Sequence, residues 1–146
     1  MRGEDRRSFL HNFCTNDIEG LADGDACEAF VTDMRGHVLG HVWISAQPGR
    51  LWLHLLGSLV EPLATHLQKY LVNEDVVIED LTSVTSRSVV CGERAEVAAG
   101  LIAESLAATC GVSVSRATVH WVSDGDVLLW LEADAGSDLL LAAVAA

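Results

Sequence analysis

The chain has 146 residues, half of them apolar, and a formal net charge of −12 at neutral pH. That length and apolar content suit one domain with a real core and exclude a disordered chain. The acidic balance excludes a surface built mainly to neutralise nucleic-acid phosphates, which needs clustered Lys and Arg.

Met1 to Arg7 holds the one basic run, Arg2 to Arg7, interrupted by Glu4 and Asp5. No apolar stretch follows these charges, so the start does not read as a signal peptide. The longest apolar run, Leu139 to Ala146, is well short of a membrane span, and no membrane partner is expected. Cys14, Cys27, Cys91 and Cys110 are widely separated and form no C-x-x-C pair, so they read as reduced thiols in a cytoplasmic protein.

Phe9, Leu10 and Phe13 recur at helical spacing, which predicts a short helix from about Glu4 to Phe13 with Glu4 and Asp5 in its first turn. Thr15-Asn16-Asp17 breaks it, because these side chains compete for backbone hydrogen bonds. A turn at Asp23-Gly24-Asp25 leads to a strand over Ala26 to Thr32, and Asp33-Met34-Arg35-Gly36 makes the next turn. Val38 to Ala46 and Leu51 to Leu56 form the clearest hairpin, joined by Gln47-Pro48-Gly49-Arg50. Period 2 puts Val42 and Ile44 on one face, opposite Leu53 and Leu55. The other face carries His37, His41, Trp43, Trp52 and His54, apolar yet studded with polar tips. Such a face is a pocket floor, a partner interface, or a sheet face covered by a helix.

Ser58-Leu59-Val60-Glu61 has the form of a capping box, and Pro62 follows early in the helix. That helix places Val60, Leu63, Ala64, Leu67 and Leu71 on one stripe. Val76 to Leu81 and Val84 to Cys91 read as strands. Gly92 leads into a helix from Glu93 to about Thr109, closed by Gly111. Arg116 to Val122 and Val127 to Glu132 form another hairpin, and Asp134 or Ser137 would cap a last helix. Hairpins alternating with amphipathic helices predict an α+β fold, with a mostly antiparallel sheet covered by helices on one face.

Signatures for nucleophile elbows, phosphate loops, zinc-binding H-E-x-x-H and dinucleotide binding are all missing. His37 and His41 share a strand face but lie about 13 Å apart at the usual rise, too far to hold one ion. His41 and His54 across the hairpin are a better pair that lacks a third ligand; no metal site is predicted. Asp17 and Asp33 border segments that could line a cavity, whereas Asp23, Asp25, Asp124 and Asp126 read as solvated turn residues.

The ordered set Gly3-Glu4-Asp5, Phe9-Leu10, Thr15-Asn16-Asp17, Gly24 and Arg35-Gly36-x-Val38-Leu39 resembles the folate-binding aminomethyltransferase-like superfamily. That superfamily includes the glycine-cleavage T-protein (GcvT) and the YgfZ-type proteins that support iron–sulfur enzymes. The resemblance continues through Tyr70, Val76 to Asp80 and Gly92-Glu93-Arg94-Ala95. It implies the N-terminal domain of the GcvT/YgfZ fold over residues 1–146, as part of a longer protein. The implied cofactor is tetrahydrofolate or a derivative, and the implied partners are folate and iron–sulfur client proteins. Thr15, Asn16, Asp17, Gly36, Gly40 and His41 would lie nearest the folate.

The acidic pair that T-proteins carry after the glycine turn falls here on Gly40 and His41. Glycine cannot polarise a folate nitrogen, and His41 is a poor replacement for a permanent negative charge. The resemblance therefore implies a YgfZ-like role in iron–sulfur protein assembly or maintenance rather than a classical aminomethyltransferase. One alternative is an active aminomethyltransferase whose carboxylate comes from Asp33 or Asp17. Another is a non-enzymatic interaction domain using Trp43 and Trp52, and an incomplete domain could also self-associate.

Overall fold

Alternation between Ala26 and His54 produces a three-stranded antiparallel meander of β1 (Ala26–Thr32), β2 (Val38–Gln47) and β3 (Arg50–His54). The computed structural model of the chain describes residues 1–110, 113–119 and 126–132. Among these residues the architecture is α+β, two antiparallel three-stranded sheets with three α-helices. The chain divides into two compact units, Met1–Asp80 and Leu81–Ala146.

In the first unit, Ile44 pairs with Leu53, Val42 with Ala29 and Ala46 with Leu51, so one face of the sheet is uniformly apolar. Helices α1 (Arg6–His11) and α2 (Gly57–Gln68) bury that face with Phe9, Leu10, Leu63 and Leu67, and Phe13 and Ile18 join the same core. Burying a side chain of this size is worth roughly 1.5–3 kcal/mol, so this layer supplies most of the driving force for the unit. His41, Trp43, Ser45, Trp52 and His54 take the opposite face, as period 2 requires. His37 precedes β2 and lies in the turn.

Three expectations shift for local reasons. The first helix starts later than Glu4 because the Asp5 carboxylate accepts the Asp75 N–H at 2.8 Å and makes no cap bond of its own. Helix α2 begins at Gly57 with Leu56 as an uncapped N-cap, so Ser58 falls inside the first turn and the capping box does not form. There β3 ends at His54 and Leu55 still packs on the core, so the chain must turn at once. Val76 to Leu81 is not a strand, since only Val77 pairs, through an isolated bridge to Arg2. Past Arg2 the backbone leaves extended geometry at Gly3, φ +108°, so no further ladder is on offer.

The second unit contains β4 (Thr85–Val90), α3 (Ala95–Cys110), β5 (Val114–Val119) and β6 (Asp126–Glu132). Strand β6 runs antiparallel between β4 and β5, so those two point the same way and α3 is the crossover joining them. Ala95 and Ala99 of α3 pack on Val127 and Leu129 of β6. Asp126 is a correction to its reading as a solvated turn residue: it opens β6 opposite Val119 and is fully buried. Asp124, Gly111 and the expected final helix lie outside the described residues. No helix among the described residues is long and apolar enough to cross a membrane.

Gly3 separates packing from conformation. A Cβ there would lie 1.9 Å from the Asp75 carbonyl oxygen, a backbone atom that cannot swing away, whereas at Gly36, also at positive φ (+80°), nothing lies within 4 Å. Gly3→Ala is expected to cost about 3 kcal/mol or more and Gly36→Ala about 1–2 kcal/mol, compared by urea denaturation. Equal losses would show that Gly3 is held by its backbone angle alone.

Candidate functional site

Strand β1 is an edge strand whose outward groups at Glu28, Phe30 and Thr32 need partners. Thr15 supplies two of them. Its N–H donates to the Phe30 carbonyl at 3.0 Å, and its hydroxyl oxygen accepts the Phe30 N–H at 3.0 Å. Asn16 Nδ2 donates to the Glu28 carbonyl at 2.8 Å, and the Thr32 N–H reaches the Phe13 carbonyl at 2.8 Å. The Asp17 carboxylate bonds to none of these edge groups; it accepts the Gly20 N–H at 3.0 Å and lies 3.5 Å from His11 Nδ1. Thr15 and Asn16 thus stand beside the sheet because they close its edge.

Gly36 belongs to the β1–β2 turn, which Asp33 organises. The Asp33 carboxylate accepts the N–H groups of Arg35 (2.8 Å) and His37 (2.9 Å), and its other oxygen meets His37 Nδ1 at 2.9 Å. The His37 backbone bond, followed by the His37 ring, holds the Asp33 carboxyl below the ordinary carboxylate value. Asp33 is therefore engaged in its own turn.

Gly40 and His41 are separated by the sheet itself. Gly40 faces α2, and a Cβ there would lie 2.6 Å from Leu63 Cδ1 and 3.3 Å from Leu59 Cδ1. His41 faces the other way, its side chain 37% exposed, with Nε2 2.5 Å from Oε1 of Glu28 on the adjacent strand. Phe30 pairs with His41 across β1 and β2, with ring centroids 5.2 Å apart, and Trp43 follows at 6.5 Å from His41, edge-on. Phe30 is 43% exposed, while Trp43 and His54 are buried. His54 stacks on Trp52 and its Nε2 lies 3.3 Å from Ser45 Oγ, so it does not join His41.

The structure thus brings Thr15, Phe30 and His41 into one row across the sheet, with Glu28 two residues along β1 reaching His41 diagonally; Gly36 lies in the turn at the end of β1 and β2, and Gly40 lies on the opposite face. Glu28 and Phe30 were missed in the sequence, although their alternation along β1 puts them on one face and would have found them once paired with His41. Chemically, the row offers an aromatic surface beside a carboxylate that orients an imidazole. Such a surface can stack a flat heteroaromatic ring and accept its N–H groups.

Several other polar groups serve the fold. Arg7 binds the Leu21 carbonyl and, at 2.6 Å, the Asp23 carboxylate; Arg2 pairs with Glu79, so this basic run serves the fold. Burial pushes the Cys14 thiol up to about 12, which leaves it unreactive. Cys91 is raised by desolvation and then by the neighbouring Asp126, to which it hydrogen-bonds. Among the described residues no three His, Cys, Asp or Glu side chains come together to hold a metal ion. Compared with known proteins, the chain matches no family model and no curated sequence.

Two measurements check these placements. A carboxyl depressed in the folded state adds stability that is complete above its unfolded value, near 3.9, and disappears as pH falls through the lower folded value. Asp33→Asn should therefore lower the melting temperature at pH 7, with the gap to the parent protein closing below pH 4; a gap independent of pH would assign the loss to shape alone. Gly40→Asp, which would restore one member of the acidic pair, forces a carboxylate between Leu59 and Leu63 and should cost on the order of 3 kcal/mol. His41→Gln on the open face should stay within about 1 kcal/mol in the same denaturant series.

Proposed function

We propose that this chain is a folate-binding, YgfZ-like protein of the cytoplasm that supports the assembly or maintenance of iron–sulfur proteins. The observation that carries the proposal is the Glu28–Phe30–His41 group, which lies within the stretch that resembles the superfamily. Phe30 and His41 would stack the pterin ring of tetrahydrofolate, and Glu28 would accept its ring N–H and amino protons. Arg35, in the turn joining the same two strands, is an exposed cation suited to the carboxylates of the folate tail. No step of group transfer is needed for this role.

Binding rather than transfer is favoured because a side chain at position 40 would press into the apolar layer of Leu59 and Leu63, where a carboxylate is unfavourable, and Asp33 and Asp17 are each engaged in local turns. The aminomethyltransferase alternative would have to use Glu28, and folate-dependent turnover with the lipoyl carrier protein is what distinguishes it. Titration with 5-formyltetrahydrofolate, followed by tryptophan fluorescence, tests the binding itself. A saturable change is expected, weakened about tenfold or more by Phe30→Ala and by Glu28→Gln in folded protein. No saturable change, or unaltered binding by both variants, would remove the basis for this reading.

A further inference from the structure

The outer face of α3 presents a pattern that the described residues of the second unit leave unused. Arg94, Val97, Leu101, Glu104 and Ala108 follow one another at spacings of three and four, the period of a helix–helix seam, and all are exposed. Val97 is 64% and Leu101 63% exposed, a large commitment of apolar surface to water for two residues one turn apart. The opposite face of α3 already fills the core of the unit through Ala95 and Ala99. An open cleft of about 570 Å³ runs beside the stripe, lined in part by Val90, Val97, Ala98 and Leu101.

The order of charges along the stripe identifies what fits it. Arg94 and Glu104 lie five residues to either side of Ala99, and Val97 and Leu101 lie two to either side. A second α3 laid antiparallel about a two-fold axis level with Ala99 therefore sets Arg94 against Glu104 at both ends and Val97 against Leu101 in the middle. A parallel copy would instead oppose Arg94 to Arg94 and Glu104 to Glu104. Neither charge has an ion-pair partner among the described residues, whereas Glu96, the neighbour of Val97 but off the stripe, pairs with Arg116 of β5 at 3.3 Å. Arg94 also stands at the N-terminal end of the helix, where the dipole disfavours a cation and a carboxylate from a partner would relieve it. Ala98 and Ala108 keep the seam shallow enough for close approach.

We propose that this face of α3 is a self-association surface on which a second copy of the chain packs its own α3 antiparallel, forming an isologous dimer. The contact is one helix wide, so the dimer is a weak one, with dissociation in the micromolar range. It is independent of the folate reading, because none of its residues belongs to that site.

Sedimentation equilibrium of the full chain between about 5 and 500 μM tests the proposal, with far-UV circular dichroism confirming that each variant is folded. The parent protein should shift from 15.6 kDa towards twice that mass with concentration. Arg94→Glu and Leu101→Lys should each weaken the dimer at least about tenfold, and the double swap Arg94→Glu with Glu104→Arg should restore it. A parent protein that stays monomeric, or an Arg94→Glu protein that dimerises as well as the parent, would overturn it. So would a double swap no better than Arg94→Glu alone, which would leave the stripe to a different occupant.

Discussion

The first unit depends on a clasp between its two ends. Residues 2–5 and 75–77 exchange hydrogen bonds: Arg2 and Val77 pair through both backbone groups at 2.9 Å, and the Asp5 N–H reaches the Asp75 carbonyl at 3.3 Å. The side chains then cross, the Asp75 carboxylate taking the Glu4 N–H at 2.9 Å and the Asp5 carboxylate taking the Asp75 N–H at 2.8 Å. At about 1 kcal/mol net for each bond, the clasp amounts to several kcal/mol, comparable with the whole margin of a small domain. It also explains three local features together. Gly3 must be glycine because the Asp75 carbonyl lies against it, α1 starts without a side-chain cap because Asp5 is engaged, and Val77 pairs alone because the chain turns away after Arg2.

With the ends held, the meander between them has two unlike faces. One is sealed by α1 and α2, and the fit is close enough that β2 carries glycine where Leu59 and Leu63 press on it. On the other face lie the aromatic and imidazole rings, next to a carboxylate. The edge of β1 that borders this group is covered by Thr15 and Asn16, which pair the Glu28 carbonyl and both backbone groups of Phe30 and so interrupt the row another chain could extend. Polar residues of the Thr-Asn-Asp stretch therefore have a structural duty whatever else they do. Their side chains hold β1 in place, and β1 holds Glu28 and Phe30 against His41.

The second unit applies the same economy of shape with different residues. Its crossover helix presents alanines to the sheet, so it can lie close to β6 while keeping its bulkier Val97 and Leu101 outside. Leu106 is buried and Ile102 packs on the same core, so α3 has an inward apolar face and, in Val97 and Leu101, an outward one.

Local pattern made much of this legible. The strands expected over 26–32, 38–46 and 51–56 and found over 26–32, 38–47 and 50–54, the pairing of Ile44 with Leu53 and the split of the hairpin into an apolar and a ring-bearing face all follow in outline from period 2 and turn chemistry, which act between neighbours in the chain. The stripe of Leu63 and Leu67 follows equally from helical period. What the chain could not reveal by itself depends on residues far apart in it. Whether Ser58 caps a helix was decided by where β3 ended, whether Val76 to Leu81 formed a strand by where Gly3 bent, and whether Asp126 met water by which strands flanked β6. For the candidate site the division is the same: the alternation that puts Gly40 and His41 on opposite faces is written in the sequence. The filling of one face by Leu59 and Leu63, and the arrival of Glu28 at His41 on the other, belong to tertiary structure, because burial and cross-strand contact are properties of the assembled sheet.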